Sequence, residues 1–457
     1  MTPEPWRYQV IADQGARTLT IDAVFSVGSG DELAVDDGAD PFVDGLVVSG
    51  LDGGDRGDGG EGDALVRDAR GAWHAPSCAR GCRLRYRFRL ADAAEALDDV
   101  ELSAIRGGAI VTAPSAWLVR PTSAPNGTRF RFHVVTPSGL TFVTGLPSIA
   151  PSTFEADTTS IGSAPFSAFG ALRVRTLELE GGRLDVAIAP SGLPVDDATI
   201  AGWVTTSARA ITGYYRRFPV ARALLLVIPD GRDDDDGSVG FGQASGGGGA
   251  SILARLGPST TARALDDDWV LPHEMVHLAM PYMARRYHWF EEGLSTYVEP
   301  IARARVGELA RERVWRGFLD GMPKGLPREG DRGLDRTPTW GRTYWGGALF
   351  CLLADVGIRE QTKNARSLDD GLRAIIAAGA SIADRWELER ALQAIDAATG
   401  TKVITALHDA MGNAPVDVDL AALFHRLGVA RKDDAIVFDD AAELASVRRA
   451  IDGSDRQ

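Results

Sequence analysis

From Trp6 to about Gly170 apolar residues recur at every second position, in short runs separated by clusters of Gly, Pro, Asp and Ser. Trp6 to Ile11, Thr18 to Phe25, Arg83 to Leu90 and Arg129 to Val135 all follow this pattern. A period of two sends successive side chains to opposite faces of a strand, so an all-β region is expected. In the last two runs Arg alternates with apolar residues, which lines one sheet face with guanidinium groups; a solvated face accounts for them without an anion site. Two further strands are expected near Leu172 to Leu179 and Arg183 to Ile188. The period then lengthens. Ile200, Val204, Ala208, Ile211 and Tyr214 have helical spacing within Asp196 to Phe218, and the unbroken apolar run Ala221 to Pro229 reads as a buried strand. Beyond Asp266 helical patterns dominate, except in Gly321 to Arg342, which is rich in Gly, Pro, Asp and Arg. Near the end, Leu420 to Arg449 reads as helices around a short extended segment, Ala435 to Phe438. The expected architecture is α+β and multidomain: a β-sandwich-like domain over 1–168, a mixed α/β domain over 169–365 and a helical domain over 366–457.

Bulk composition narrows the function classes. A chain of 457 residues has room for about three domains, and 44% hydrophobic with 25% charged residues is the balance of a folded globular protein. No apolar run approaches the ~20 residues needed to span a bilayer as a helix. The net charge of −14 is spread along the chain, with clusters at Asp233 to Asp236 and Asp266 to Asp268, the opposite of a nucleic-acid footprint. Leu51 to Asp63 is a Gly- and Asp-rich loop with almost nothing to bury, and it lacks the ordered carboxylate spacing of a calcium loop. Cys351, in an apolar run, is expected to be a small buried side chain. Cys78 and Cys82 flank Ala79 to Gly81 and form either a small disulfide or two free thiols. The N-terminus shows neither a basic n-region nor an apolar h-region. The chain is therefore either cytoplasmic or a form whose leader has been removed, and the cysteine pair favours the second, a periplasmic or secreted location.

The chemistry concentrates in Leu271 to Met280. His273 and His277 stand at i and i+4, one above the other on a helical face, where both imidazoles reach one ion, and Glu274 lies about 100° round the helix beside them. A catalytic zinc takes three protein ligands and keeps one open position. Glu292, with 14 residues between it and His277, precedes Gly293 and is followed by apolar Leu294 and Tyr297, so a helix buried on that side aims its carboxylate inward. Glu291 competes for the role, and His288 next to Trp289 reads as a structural or cleft-lining residue rather than a fourth ligand. Pro272 obliges the helix to begin near that residue or to bend. His74, His133, His408 and His425 occur singly and read as structural.

His273 to His277 (HEMVH) followed by Trp289 to Glu299 (WFEEGLSTYVE) resembles the gluzincin metallopeptidases, in which a Glu before Gly is the third zinc ligand. Tyr344 to Asp355, Ile358 and Arg359, and Ser367 to Asp370 are similar to the glycyl aminopeptidase family, without a PDZ module. The resemblance implies a thermolysin-like catalytic domain, one Zn2+ per chain held by His273, His277 and Glu292, Glu274 as general base, Tyr344 as the oxyanion's hydrogen-bond donor, and a peptide or small protein as substrate. Relatives of this kind place a Glu for the substrate's amine in a Gly-rich edge strand. The corresponding stretch here, Gly240 to Ile252, has the glycines, with Gly246, Gly247, Gly248, Gly249 and Ala250 as expected substrate-binding positions, but no acid. That absence leaves endopeptidase action open beside aminopeptidase action. It also leaves open a peptidase-like scaffold that binds peptide with little or no turnover, or a metal-free protein in which the HEMVH pattern is coincidental.

Overall fold

Alternation in the N-terminal runs becomes strand structure almost residue for residue in the computed structural model, which describes residues 3–36, 38–51, 62–231 and 239–456. Most of the acidic loop expected at Leu51 to Asp63, and Asp233 to Asp236, lie outside the described residues. Strands β1 (Trp6–Ala12), β2 (Leu19–Phe25), β3 (Cys82–Phe88), β4 (Arg129–Val135) and β5 (Thr153–Asp157) form the centre of a sheet that has eight strands among the described residues. Their order is β5-β4-β1-β2-β3, with β1 parallel to β4 and antiparallel to β2. In β3, Cys82, Leu84, Tyr86 and Phe88 point inward and Arg83, Arg85 and Arg87 outward. The outward guanidiniums meet carboxylates on neighbouring strands: Arg83 sits 2.7 Å from Asp22, and Arg129 and Arg131 lie 2.7 and 2.6 Å from Glu155. Partly exposed pairs of this kind contribute at most about 1 kcal/mol each, so they organise the solvated face more than they stabilise it. The inward set forms an aromatic core that includes Trp6, Phe25, Phe88, Trp117, Phe130 and Phe132.

Two local features depart from, or settle, the reading of this region. The strand expected to reach Leu90 ends at Phe88, and helix α1 (Leu90–Leu97) follows, burying Leu90, Ala93 and Ala94. Its Ala-rich sequence favours a helix over a strand once the alternation stops. Cys78 and Cys82 are joined as a disulfide and buried. Gly81 between them has φ +89°, a conformation other residues rarely adopt, which lets so short a loop close. Cys351 is free and buried.

A five-stranded sheet comprises β6 (Arg173–Leu179), β7 (Gly182–Ile188), β8 (Arg222–Pro229), β9 (Val239–Ser245) and β10 (Ser251–Leu256), in the order β6-β7-β8-β10-β9. Strand β8 runs parallel to β10, and β9 lies antiparallel on the outer side of β10, at the sheet edge. Ala223 to Ile228 are fully buried, which is why their apolar run is unbroken. Gly246 to Ala250 turn the chain between β9 and β10. A Cβ on Gly247 would lie 1.9 Å from the Ser163 carbonyl oxygen, and one on Gly249 2.3 Å from that of Gly145. Close packing within this part of the chain is thus sufficient reason for those glycines.

The described chain groups into two compact units, Met1–Leu177 with Leu184–Asp196 and Arg222–Thr261, and Glu178–Arg183 with Asp197–Ala221 and Ala262–Gln457. The second unit is mainly helical. It contains α2 (Asp197–Tyr215), α3 (Val270–His277), α4 (His288–Arg305), α5 (Gly347–Thr362) and α6 (Leu368–Ala377), followed by further helices and the hairpin Val429–Lys432 with Ala435–Phe438. Deep within it, Asp355 accepts hydrogen bonds from Tyr297 (2.8 Å), Arg359 (2.9 Å) and the Leu368 amide (2.9 Å), while Arg305 lies 2.5 Å from Asp369. No helix among the described residues is long and apolar enough to cross a membrane.

Candidate metal centre

Helix α3 starts where its sequence demands. The buried Asp268 carboxylate accepts the amides of Val270 (2.9 Å) and Leu271 (3.0 Å), satisfying donors that a first helical turn leaves unpaired, and it also accepts the Trp203 indole N–H at 2.9 Å. Pro272 falls in this first turn, where an amide is not needed, so the helix begins beside the proline and carries both histidines intact. Leu271, Met275 and Val276 anchor its buried face.

Helix α4 supplies the next groups, and its position depends on two glycines. A Cβ on Gly293 would lie 2.3 Å from Gly347 Cα, and one on Gly347 would lie 2.1 Å from the Trp289 carbonyl oxygen. Helices α4 and α5 therefore meet backbone to backbone, a crossing open only to glycine. One π-helical turn, Gly341–Gly346, leads into α5 and carries Tyr344.

These elements bring the predicted residues together. Nε2 of His273 lies 3.1 Å, and Nε2 of His277 3.7 Å, from Oε2 of Glu292. Ligand atoms of His273, Glu274 and His277 all lie within 4.8 Å of one another. Two donors on a tetrahedral ion at ~2.0–2.1 Å stand roughly 3.3 Å apart, a spacing that the two observed distances bracket. Two imidazoles and one carboxylate are also a donor set that suits zinc. Tyr344 lies beside them, its ring 6.4 Å from that of His273 and nearly parallel to it. The adjacent acid Glu291 turns elsewhere: Oε1 accepts the Met283 amide at 2.8 Å and Oε2 lies 3.3 Å from His288. Gly246, Gly247, Gly248, Gly249 and Ala250 belong to the first unit.

Electrostatics follow from this crowding. Burial opposes charging of His277, but hydrogen bonding to Glu292 and the charges of Glu292, Glu274 and Glu291 outweigh it and push the imidazole pKa up to about 9. Burial likewise works against ionised Glu292, and hydrogen bonds from His273 and His277 still hold it well below the usual carboxylate range. Burial, together with the charges of Glu292 and Glu274, pushes the Tyr344 phenol up to about 12, so at neutral pH it keeps its proton and can donate a hydrogen bond.

Of the further neighbours, Ser295 and Trp269 were not legible in the sequence, whereas His288 was read there as structural or cleft-lining. Ser295 Oγ is 3.3 Å from Nδ1 of His277, His288 Nε2 is 3.3 Å from Glu292 Oε1, and the Trp269 ring stands edge-on to His273 at 5.6 Å. The i+3 spacing of Ser295 from Glu292 and the i−4 spacing of His288 were the available signals, both meaningful only once the helix has a known buried side. His408 is engaged by Asp335 at 3.2 Å and stacks on Trp289.

No protein family model matches the chain, and no curated protein does. Solved structures do. An aminopeptidase N family protein from Idiomarina loihiensis aligns with a TM-score of 0.66 at 14% identity, over 93% of this chain and 78% of that one. The M1 zinc metallopeptidase from Deinococcus radiodurans aligns with a TM-score of 0.52 at 13% identity, over 91% and 95% of the two chains. A mutant of that enzyme, with a TM-score of 0.52 at 13% identity, is solved with a Tyr-Ser-Ala substrate. At such identities the likeness is one of fold: this chain's mixed α and β architecture is similar to that of M1 zinc metallopeptidases, in keeping with the gluzincin-like fold expected from the sequence.

Proposed function

We propose that the chain is a zinc-dependent peptidase, with His273, His277 and Glu292 holding the metal. The observation that carries this reading is the convergence of one carboxylate oxygen on two imidazole nitrogens at 3.1 and 3.7 Å, beside a second acid and a tyrosine. The M1-like fold supports it, as does the peptide substrate of the Deinococcus protein.

Zinc, when bound, supplies Lewis acidity that polarises a peptide carbonyl and acidifies a neighbouring water. Glu274 takes the proton from that water as its oxygen attacks the carbonyl carbon, then delivers the proton to the departing amine as the C–N bond breaks. Tyr344 donates its O–H to the oxygen on which negative charge develops.

Elemental analysis and product analysis by mass spectrometry test the reading together. The purified chain should contain one zinc per molecule, His277→Ala should lose it, and a defined peptide mixture should be cleaved in a chelator-sensitive manner. Cleavage confined to peptides with a free N-terminus assigns aminopeptidase action, and equal cleavage of N-blocked peptides assigns endopeptidase action. Zinc without turnover would return the protein to a peptide-binding scaffold, and a chain free of zinc would end the proposal.

A further inference from the structure

The carboxylate of Glu292 has two oxygens, and the chain occupies both. Oε2 faces the imidazoles of His273 and His277, and Oε1 lies 3.3 Å from Nε2 of His288. The other ring nitrogen of His288, Nδ1, is 3.3 Å from Oε2 of Glu291, and Oε1 of Glu291 accepts the Met283 amide at 2.8 Å. A continuous line of contacts thus runs from the Met283 backbone through Glu291 and His288 to the far oxygen of Glu292. Helix geometry makes it local, because His288, Glu291 and Glu292 are related by i+3 and i+4 within the first turns of α4. Both acids are largely buried, their side chains 12% exposed, whereas His288 is 53% exposed and makes no demand on core packing.

A carboxylate joined to its backbone by three rotatable bonds must be ordered before it can share an ion with two fixed imidazoles. We propose that His288, backed by Glu291, is the positioning residue that holds Glu292 in its metal-facing orientation; this rests on the zinc reading above. Hydrogen-bond partners of ligating groups typically account for 10–100-fold in metal affinity. His288 is assigned neither to the metal nor to the reacting atoms.

The test is zinc affinity, measured by competition with a chromophoric chelator on the purified full chain. His288→Ala should weaken zinc binding by about 10–100-fold while still taking up one equivalent at saturation. His288→Gln, which retains an N–H able to reach Glu292, should stay within about threefold of wild type, and Glu291→Gln should weaken binding in the same direction as His288→Ala but by less. Thermal unfolding of the metal-free variants should match wild type, as expected for a half-exposed side chain. An affinity for His288→Ala equal to wild type overturns the assignment. Complete loss of zinc at saturation, as expected for His277→Ala, also overturns it by making His288 a ligand. Failure of the wild-type chain itself to bind zinc would instead bring down the peptidase reading and this inference with it.

Discussion

Two clusters of buried charge lie in the same helical unit, and they are built on opposite principles. Around Asp355 and Asp369 each acid has a guanidinium at close range: Arg359 is 2.9 Å from Asp355 and Arg305 is 2.5 Å from Asp369. Tyr297 and the Leu368 amide complete the shell of Asp355. Around Glu292 the close partners are three histidines, His273, His277 and His288, with Glu274 adding a second acid beside the first two. Imidazoles give up their protons near neutral pH and then become metal ligands, whereas guanidinium stays charged under all ordinary conditions. In the first cluster each acid is matched by a permanently charged cation. In the second, the acid's partners are groups able to shed their protons, and the proposed zinc site rests on that difference.

Substitutions sharpen that contrast, beginning with the largest expected effect. Glu274→Gln should lower peptide hydrolysis by about 10³-fold, within the span typical of general bases, while zinc content stays at one per chain. Wild-type turnover in this variant would remove Glu274 from the chemistry. In the guanidinium-paired cluster, Asp369→Ala should cost about 3–5 kcal/mol in denaturant unfolding, because Arg305 is left buried without its carboxylate. Burial opposes ionisation of Asp369, yet the charges of Arg305, Arg359 and Arg373 hold its pKa below the usual carboxylate range, so the acid is charged at neutral pH. Zinc affinity in this variant should be unchanged wherever the fold persists, and a shift beyond a fewfold would show the two clusters to be coupled.

Acidity distinguishes them as well. Without metal, protonated His277 is stabilised by folding, its pKa standing at about 9 against an ordinary 6.5. That contribution is present in full below pH 6.5 and is lost as the pH rises to about 9, on the order of 3 kcal/mol. Zinc competes with that proton, so zinc affinity should climb over the same interval while the metal-free chain loses thermal stability. A metal-free melting curve that stays flat from pH 6.5 to 9 would contradict the assigned environment of His277. The smallest expected effect is that of Tyr344→Phe, a loss of about 10²-fold in kcat with KM and zinc content little changed. Retention of full kcat would leave Tyr344 as a packing residue beside His273.

Local rules made much of the molecule legible. The i, i+4 pair His273 and His277 needs only a helix to share a face, and Asp268 with Pro272 supplies a start for one, so this half of the site followed from adjacent residues. The Arg-alternating strands were equally plain, because a period of two is itself a statement about faces. The ending of the strand at Phe88 and the start of α1 were not legible, since alternation gives way to alanines over a single residue. The choice between Glu291 and Glu292 is of another kind. Both head the same helix with similar local surroundings, and the rotation of α4 that aims one at the imidazoles and the other at Met283 is set by its close crossing with α5 at Gly293 and Gly347.

By itself, then, the sequence determined the strand and helix periods, the shared helical face of His273 and His277, and the short spacing that lets Cys78 reach Cys82. Only the tertiary structure decided that the two cysteines are joined, that Glu291 turns to the Met283 amide, that His288 contacts Glu292, and that Arg305 finds Asp369, 64 positions away. The physical reason is range. Backbone geometry is read from neighbours in the chain, whereas these pairings follow from the packing of whole helices, whose contacts are set by glycines and apolar faces far from the groups they bring together.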